Sequence, residues 1–286
     1  MSSPPCPGAA RAFFQSPVAT HRYASFGRTI EPKARRGTEP GYVTQQPNAQ
    51  GDDVTDDLST ALPNERTQLL ETWKRVFAKT PNPCVARFLQ LDRLAKGPTD
   101  KKAISNDLRK FHDRFGWMAM ESSSAGKCAG ALYRTQAFIQ LPSDERIGKK
   151  RGQTVHIEHT VPVNVLSMRW LEVRKGGQEQ ELMPTFAWVM HHTVATAFHQ
   201  DERMLLKGVS KSTDCFAEGA PGFGRPFKRY SGLFHQGGQV WDVYNGALIE
   251  PDLFSLSDHF ANVVALAQEA GAAPQFIAAL KASSPD

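Results

Sequence analysis

The hydrophobic pattern changes period partway along the chain, and that change bounds the fold. From Asn64 onward Leu69, Leu70, Trp73, Val76 and Phe77 recur on one helical face, and Pro81 and Pro83 stop the run. A second helix is predicted over 85–96. A third is predicted over about 103–120, with Ile104, Leu108, Phe111 and Phe115 as its stripe. His112 beside that stripe reads as a packed or surface histidine, since no second polar ligand type accompanies it at helical spacing. After Gly130 the character becomes strand-like at Leu132, Tyr133, Phe138 and Ile139, again over 154–163, and again over 186–198, which is dense in β-branched and aromatic residues. Helical spacing returns over 199–208 through Met204 and Leu205, closing at Gly208. Asn245-Gly246 between two apolar runs is a hairpin signal, and helices over 256–270 and 273–283 follow. The fold class expected is α+β.

Size and charge narrow the class further. The 286 residues exceed a usual single domain, and 40% apolar with 22% charged residues fits a globular protein with a real core. No apolar run approaches the roughly 20 residues needed to cross a bilayer, and no apolar segment follows the start methionine. Membrane insertion and secretion are therefore not expected, and the location expected is cytoplasmic. Cys6, Cys84, Cys128 and Cys215 are far apart with no C-x-x-C pair, which reads as thiols in a reducing compartment. A net charge of +5 permits a nucleic-acid partner without demanding one.

Four regions follow. Residues 1–60 are rich in Pro, Gly, Ser, Thr and Gln and read as a flexible arm, basic at first (Arg11, Arg22, Arg28, Lys33, Arg35, Arg36) and acidic at Asp52, Asp53, Asp56 and Asp57. Prolines at 4, 5, 7 and 17 break the amphipathic helix that an organellar signal would need. A helical scaffold occupies 61–125, a mixed module 126–235, and a hairpin with helices 236–286.

The stretch HIEHTVPVNVL, His156 to Leu166, places two imidazoles around a carboxylate within a β-branched run. In an extended strand His156 and Glu158 project to one side and Ile157 and His159 to the other. Pro162 then turns the strand into a loop. A histidine beside a carboxylate at a strand end suits general-base work, and the carboxylate offers a hard oxygen to a magnesium-type ion. A water-facing strand edge explains the same residues without chemistry. A zinc hydrolase is less well matched, because H-x-x-H is not H-E-x-x-H.

Glu158-His159-Thr160-Val161-Pro162-Val163 resembles the first block of the HNH, or ββα-metal, nucleases. The resemblance implies a ββα-metal core within a larger mixed domain, with Glu158 binding one divalent metal ion, Mg2+ or Mn2+, and His159 activating the attacking water. It further implies that the segment 193–198 is the second strand and that the helix after it supplies the remaining ligands. Of His199, Asp201 and Glu202, the favoured pair is His199 and Asp201. Asp201 and Glu202 also read simply as first-turn acids; His191 and His192 are nearer alternatives for a second-strand position, and Asn164 is a candidate to orient the general base. The likeness covers the middle quarter of the chain and departs from the family where an Asn and a final His or Asn are usual.

Phosphodiester cleavage also needs a grip on the backbone. Lys149, Lys150 and Arg151, with Arg146 ahead of them, are one candidate; Arg225, Lys228 and Arg229, beside Phe227 and Tyr230, are another. The activity expected is metal-dependent DNA endonuclease action, in a restriction, defence or mobile-element setting. A homodimer would suit a palindromic target. The alternative is a non-catalytic nucleic-acid-binding or assembly protein; a metal-dependent hydrolase of a small substrate is a third reading. Asp258-His259 reads as a helix start, and neither a G-x-S-x-G elbow nor a phosphate-binding Gly-x-x-x-x-Gly-Lys-Ser/Thr loop is present.

Overall fold

The structure, a computed structural model, describes residues 54–78, 88–97, 100–115, 126–147, 152–175, 180–206 and 215–283. They belong to one compact unit over 50–286. The arm expected over 1–60 lies outside the described residues as far as 53.

Helix α1, Val54–Ala78, starts ahead of the expected boundary and runs through Pro63. An interior proline is normally costly. Burial of Leu58, Leu69, Trp73 and Val76 along one side holds the helix against the core. Asp56 and Asp57 therefore lie within the first helix instead of ahead of it. Helices α2, Phe88–Lys96, and α3, Lys101–Phe115, match the second and third expected helices over the residues described. The Asp100 carboxylate accepts the amide N–H groups of Lys102 and Ala103 at 3.3 and 3.0 Å, capping α3.

After the short helix α4, Gly126–Ala129, the chain enters β1, Tyr133–Thr135, and then α5, Gln136–Gln140. Phe138 and Ile139 were expected in a strand and are helical. The Thr135 hydroxyl accepts the Phe138 N–H at 3.2 Å and starts the helix there. Strand β2 is Val155–His159, as the alternation predicted. The strand gives way to a short irregular link over 160–162, as expected, and Pro162 ends that link at the N-cap of α6, Val163–Arg174, where a fixed φ and a missing N–H cost little. Helix α7, Leu182–His192, occupies the first half of the segment expected to be strand, and only Ala195–His199 forms β3. Every residue from Thr185 to His192 is buried, so the run is apolar all round and its period is hidden. Gln200–Leu206, expected as an α-helix, is a 3-10 helix.

Further on, a 3-10 turn at Pro226–Tyr230 leads into α8, Ser231–His235. The expected hairpin is present as β4, Val240–Asp242, and β5, Ala247–Leu248, with Gly246 at φ 66°. The closing helices are α9, Leu256–Glu269, and α10, Pro274–Ala282. Ser255 caps α9 in a reciprocal box with Asp258, so Asp258 is a first-turn acid as read and Ser255 is the cap.

The fold is α+β, with one mixed five-stranded sheet in the order β2-β3-β1-β4-β5. Strands β1 and β3 are parallel, the other pairs antiparallel. Two helices, α6 and α7, stand between the paired strands β2 and β3, which is longer than a hairpin connection. One side of the sheet presents Tyr133, Phe198 and Val240 to the main core; the other presents Val155, Ile157 and Ala197 to a smaller core with Cys128 and Phe138. Strand β2 is an edge, and its rim is where the conspicuous polar residues sit. No helix among the described residues is long and apolar enough to cross a membrane.

Candidate functional site

Register decides which side chains on β2 meet. His156 lies opposite Phe198 and Glu158 opposite Thr196, so these four share the main-core side of the sheet. Val155, Ile157 and His159, opposite His199, Ala197 and Ala195, share the other. The alternation expected from the sequence is therefore observed. On the first side the His156 Nε2 lies 3.2 Å from a Glu158 carboxylate oxygen. The 3-10 turn at 226–230 carries Arg229 over the same rim. Its guanidinium donates to the other Glu158 oxygen at 2.7 Å and to the His159 carbonyl at 2.6 Å.

The next residue fixes the turn to the sheet. The Tyr230 hydroxyl donates to Thr160 Oγ1 at 3.0 Å, and Thr160 and Thr196 are bonded at 2.7 Å. Phe198 meets the Tyr230 ring edge-on at 5.1 Å. Behind the rim the site is thus buried and anchored, while its three ionisable side chains remain 18%, 16% and 19% exposed for His156, Glu158 and Arg229. Burial opposes charge on Glu158, but the hydrogen bond from His156 and the positive Arg229 outweigh it and hold the carboxyl below its ordinary range. Glu158 is a carboxylate at neutral pH. For Tyr230 burial and the negative Glu158 both act upward, so its hydroxyl stays protonated.

The residues expected to complete a metal site stand elsewhere. His199 lies three positions beyond Thr196, about 10 Å along β3 from the level of Glu158, and on the opposite side of the sheet. Asp201 is 91% exposed and sits 3.6 Å from the His199 ring, whose Nδ1 accepts the Asp201 N–H at 3.3 Å. Glu202 accepts from the Thr135 hydroxyl at 2.5 Å and from the His199 N–H at 3.0 Å, so it closes the end of β3. Burial raises its carboxyl despite those bonds. His159 faces the small core, away from Glu158. Among the described residues no group of three His, Cys, Asp or Glu side chains converges as a metal would require. Glu158, His199 and Asp201 do not fit one divalent ion, because a strand's alternation and length separate them.

The two basic clusters differ. Lys149, Lys150 and Arg151 lie outside the described residues. Arg225 donates to the Leu253 carbonyl, Lys228 pairs with Asp252 at 2.7 Å, and Arg229 serves Glu158. The second cluster is largely engaged by the protein itself. His191 and His192, the alternative ligands, are buried in α7 and bonded to the carbonyls of Leu280 and Trp188. Asn164 is exposed in the first turn of α6. The sequence reading missed the contact between Arg229 and Glu158, 71 residues apart, for which no local signal exists. Compared with known proteins, the chain matches no family model, no curated protein and no solved structure.

Proposed function

We propose that the β2 rim is the working site of an endonuclease that hydrolyses DNA phosphodiester bonds. The observation that supports this reading is the chain His156, Glu158, Arg229, with an imidazole at 3.2 Å and a guanidinium at 2.7 Å on one partly exposed carboxylate. With the ring proton on Nε2, Glu158 orients His156 and leaves Nδ1 to take a proton from water. Arg229 uses one N–H for Glu158 and one for the His159 carbonyl, and its remaining donors suit the charge that builds on a phosphate in the transition state. Both Glu158 oxygens are engaged, one by His156 and one by Arg229, and among the described residues no group of three metal ligands forms there, so His156 activates water without a metal ion.

The second reading, a non-catalytic nucleic-acid-binding or assembly protein, draws on the same ion pair: a carboxylate already neutralised by an arginine serves structure equally well. Nicking of supercoiled plasmid separates the two. Wild type, His156→Ala and His159→Ala are compared with Mg2+, with Mn2+ and with EDTA. The proposal expects roughly 10^2- to 10^4-fold loss in His156→Ala and little change in His159→Ala. Loss confined to His159→Ala and to EDTA would favour the metal-dependent arrangement that the EHTVP block resembles. No cleavage by any form, with salt-sensitive DNA binding, would leave the binding protein.

A further inference from the structure

On the side of the sheet away from His156 and Glu158, Arg134 of β1 and Arg146 meet a single carboxylate, Glu65 of α1. Arg134 donates to one Glu65 oxygen, and Arg146 donates to both, at 2.5 and 3.1 Å. The side chains are 0%, 7% and 6% exposed for Arg134, Arg146 and Glu65. Carbonyls complete the set: Ala129 and Ala131 accept from Arg134, Leu141 and Ile139 from Arg146. Phe138 lies under both guanidiniums, 5.7 and 4.5 Å from its ring centre. Two cations against one anion leave one buried positive charge, and carbonyl dipoles offset it only in part.

This excess charge forms the floor of a cleft of about 540 Å3 between α1 and the 138–146 segment. Helix α1 lines the cleft with Asn64, Gln68, Thr72 and Arg75, spaced to lie on one face. Arg75 is exposed at the mouth and brings a third guanidinium. Glu71, also at the mouth, is already paired with Lys74 at 3.1 Å. Arg146 Nη1, which donates to Glu65 at 3.1 Å, also reaches the Gln68 amide oxygen at 3.5 Å, the longest bond in the set. An incoming oxyanion would replace that bond with a charge-assisted one.

We infer that this cleft binds a small phosphomonoester, its phosphate seated between Arg146 and Arg75 and its body lying along α1. Phosphate matches the site because it carries close to two negative charges, enough to offset the buried excess and Arg75 together. The volume is that of a small-molecule site, far larger than a bare ion needs. The site is independent of the β2 rim and lies on the other side of the sheet.

Calorimetry and thermal unfolding in phosphate-free buffer test it, with inorganic phosphate, adenosine 5′-monophosphate, adenosine, and chloride at matched ionic strength. The expected result is saturable binding of the monophosphate, weaker binding of phosphate, and none of adenosine. Arg75→Glu, at an exposed position, weakens the monophosphate about tenfold or more. Gln68→Glu supplies the counter-charge from within: it raises the Tm without ligand and abolishes the response to phosphate. The inference is overturned if phosphate and monophosphate act no differently from chloride, if adenosine binds as well as its monophosphate, or if Gln68→Glu leaves the Tm and the ligand response unchanged.

Discussion

The two faces of the sheet solve the same problem, a guanidinium beside a carboxylate, in opposite ways. At the β2 rim Arg229 and Glu158 are one to one, both partly exposed, with His156 completing the chain. Behind β1 the stoichiometry is two to one and the groups are buried at the floor of the cleft. Exposure leaves the first arrangement open along the rim, whereas the second is bound into the fold and reaches solvent only through the cleft beside Arg146. Burial pulls the Arg134 guanidinium down to about 9, with Arg146 adding to the effect, yet it stays charged at neutral pH. Availability for chemistry thus follows from solvent access more than from the identity of the charged pair.

Changing one carboxylate at a time breaks this comparison most directly. Glu65→Leu leaves two buried guanidiniums without a carboxylate and is expected to cost about 3–5 kcal/mol in urea unfolding. A loss below about 1 kcal/mol would mean that the carbonyls suffice and that the faces do not differ. The buried histidines show the other course open to a sealed titratable group, which is to shed its charge. Burial pulls His191 down to about 4, and His192 and His259 to about 3. These folded values lie below the unfolded one, so the stability is fully present above about pH 6.5 and is lost as pH falls toward 4 and then 3. Each histidine is expected to remove roughly 2 kcal/mol by about pH 5, and His259→Phe should flatten the acid limb of a stability profile.

The rim gives smaller effects. Glu158→Gln is expected to lower stability by about 1 kcal/mol while removing the orientation of His156. A loss as large as that of Glu65→Leu would erase the distinction between the faces. Asp201→Asn, at a solvated position, is expected to shift the urea midpoint by less than about 0.5 kcal/mol equivalent, with plasmid nicking unaffected. A strong loss of nicking there would return Asp201 to the site.

What the sequence disclosed follows the range of the forces involved. Strand alternation put His156 and Glu158 on one side, Asn245-Gly246 marked the hairpin, and the SLSDHF stretch marked a helix start, because each is a local matter. The helix at Leu182–His192 was read as strand because burial on all sides erases the period that separates the two. Arg229 was read as a phosphate-binding residue, and nothing near it in the chain points to Glu158. Arg146 reads in the sequence as part of a basic turn for phosphate, and its buried pairing with Glu65 beside Arg134 has no local signal, since only tertiary structure brings 65, 134 and 146 to one place.

Helix α1 is the first described element to be made, and apart from local pairs such as Lys74 with Glu71 its polar side chains wait for partners far along the chain. Glu65 needs Arg134 and Arg146, and Trp73 donates to the Gly130 carbonyl. Its neighbour Arg66 needs the Tyr244 carbonyl and Glu269, the latter 203 residues away and 2.8 Å distant. On a ribosome, synthesis from Glu65 to Glu269 takes on the order of ten seconds or more. Throughout that time α1 must keep an apolar stripe and an unpaired carboxylate in solution, so a chaperone that shields nascent chains has its longest task at the opposite end of the protein from where folding is completed.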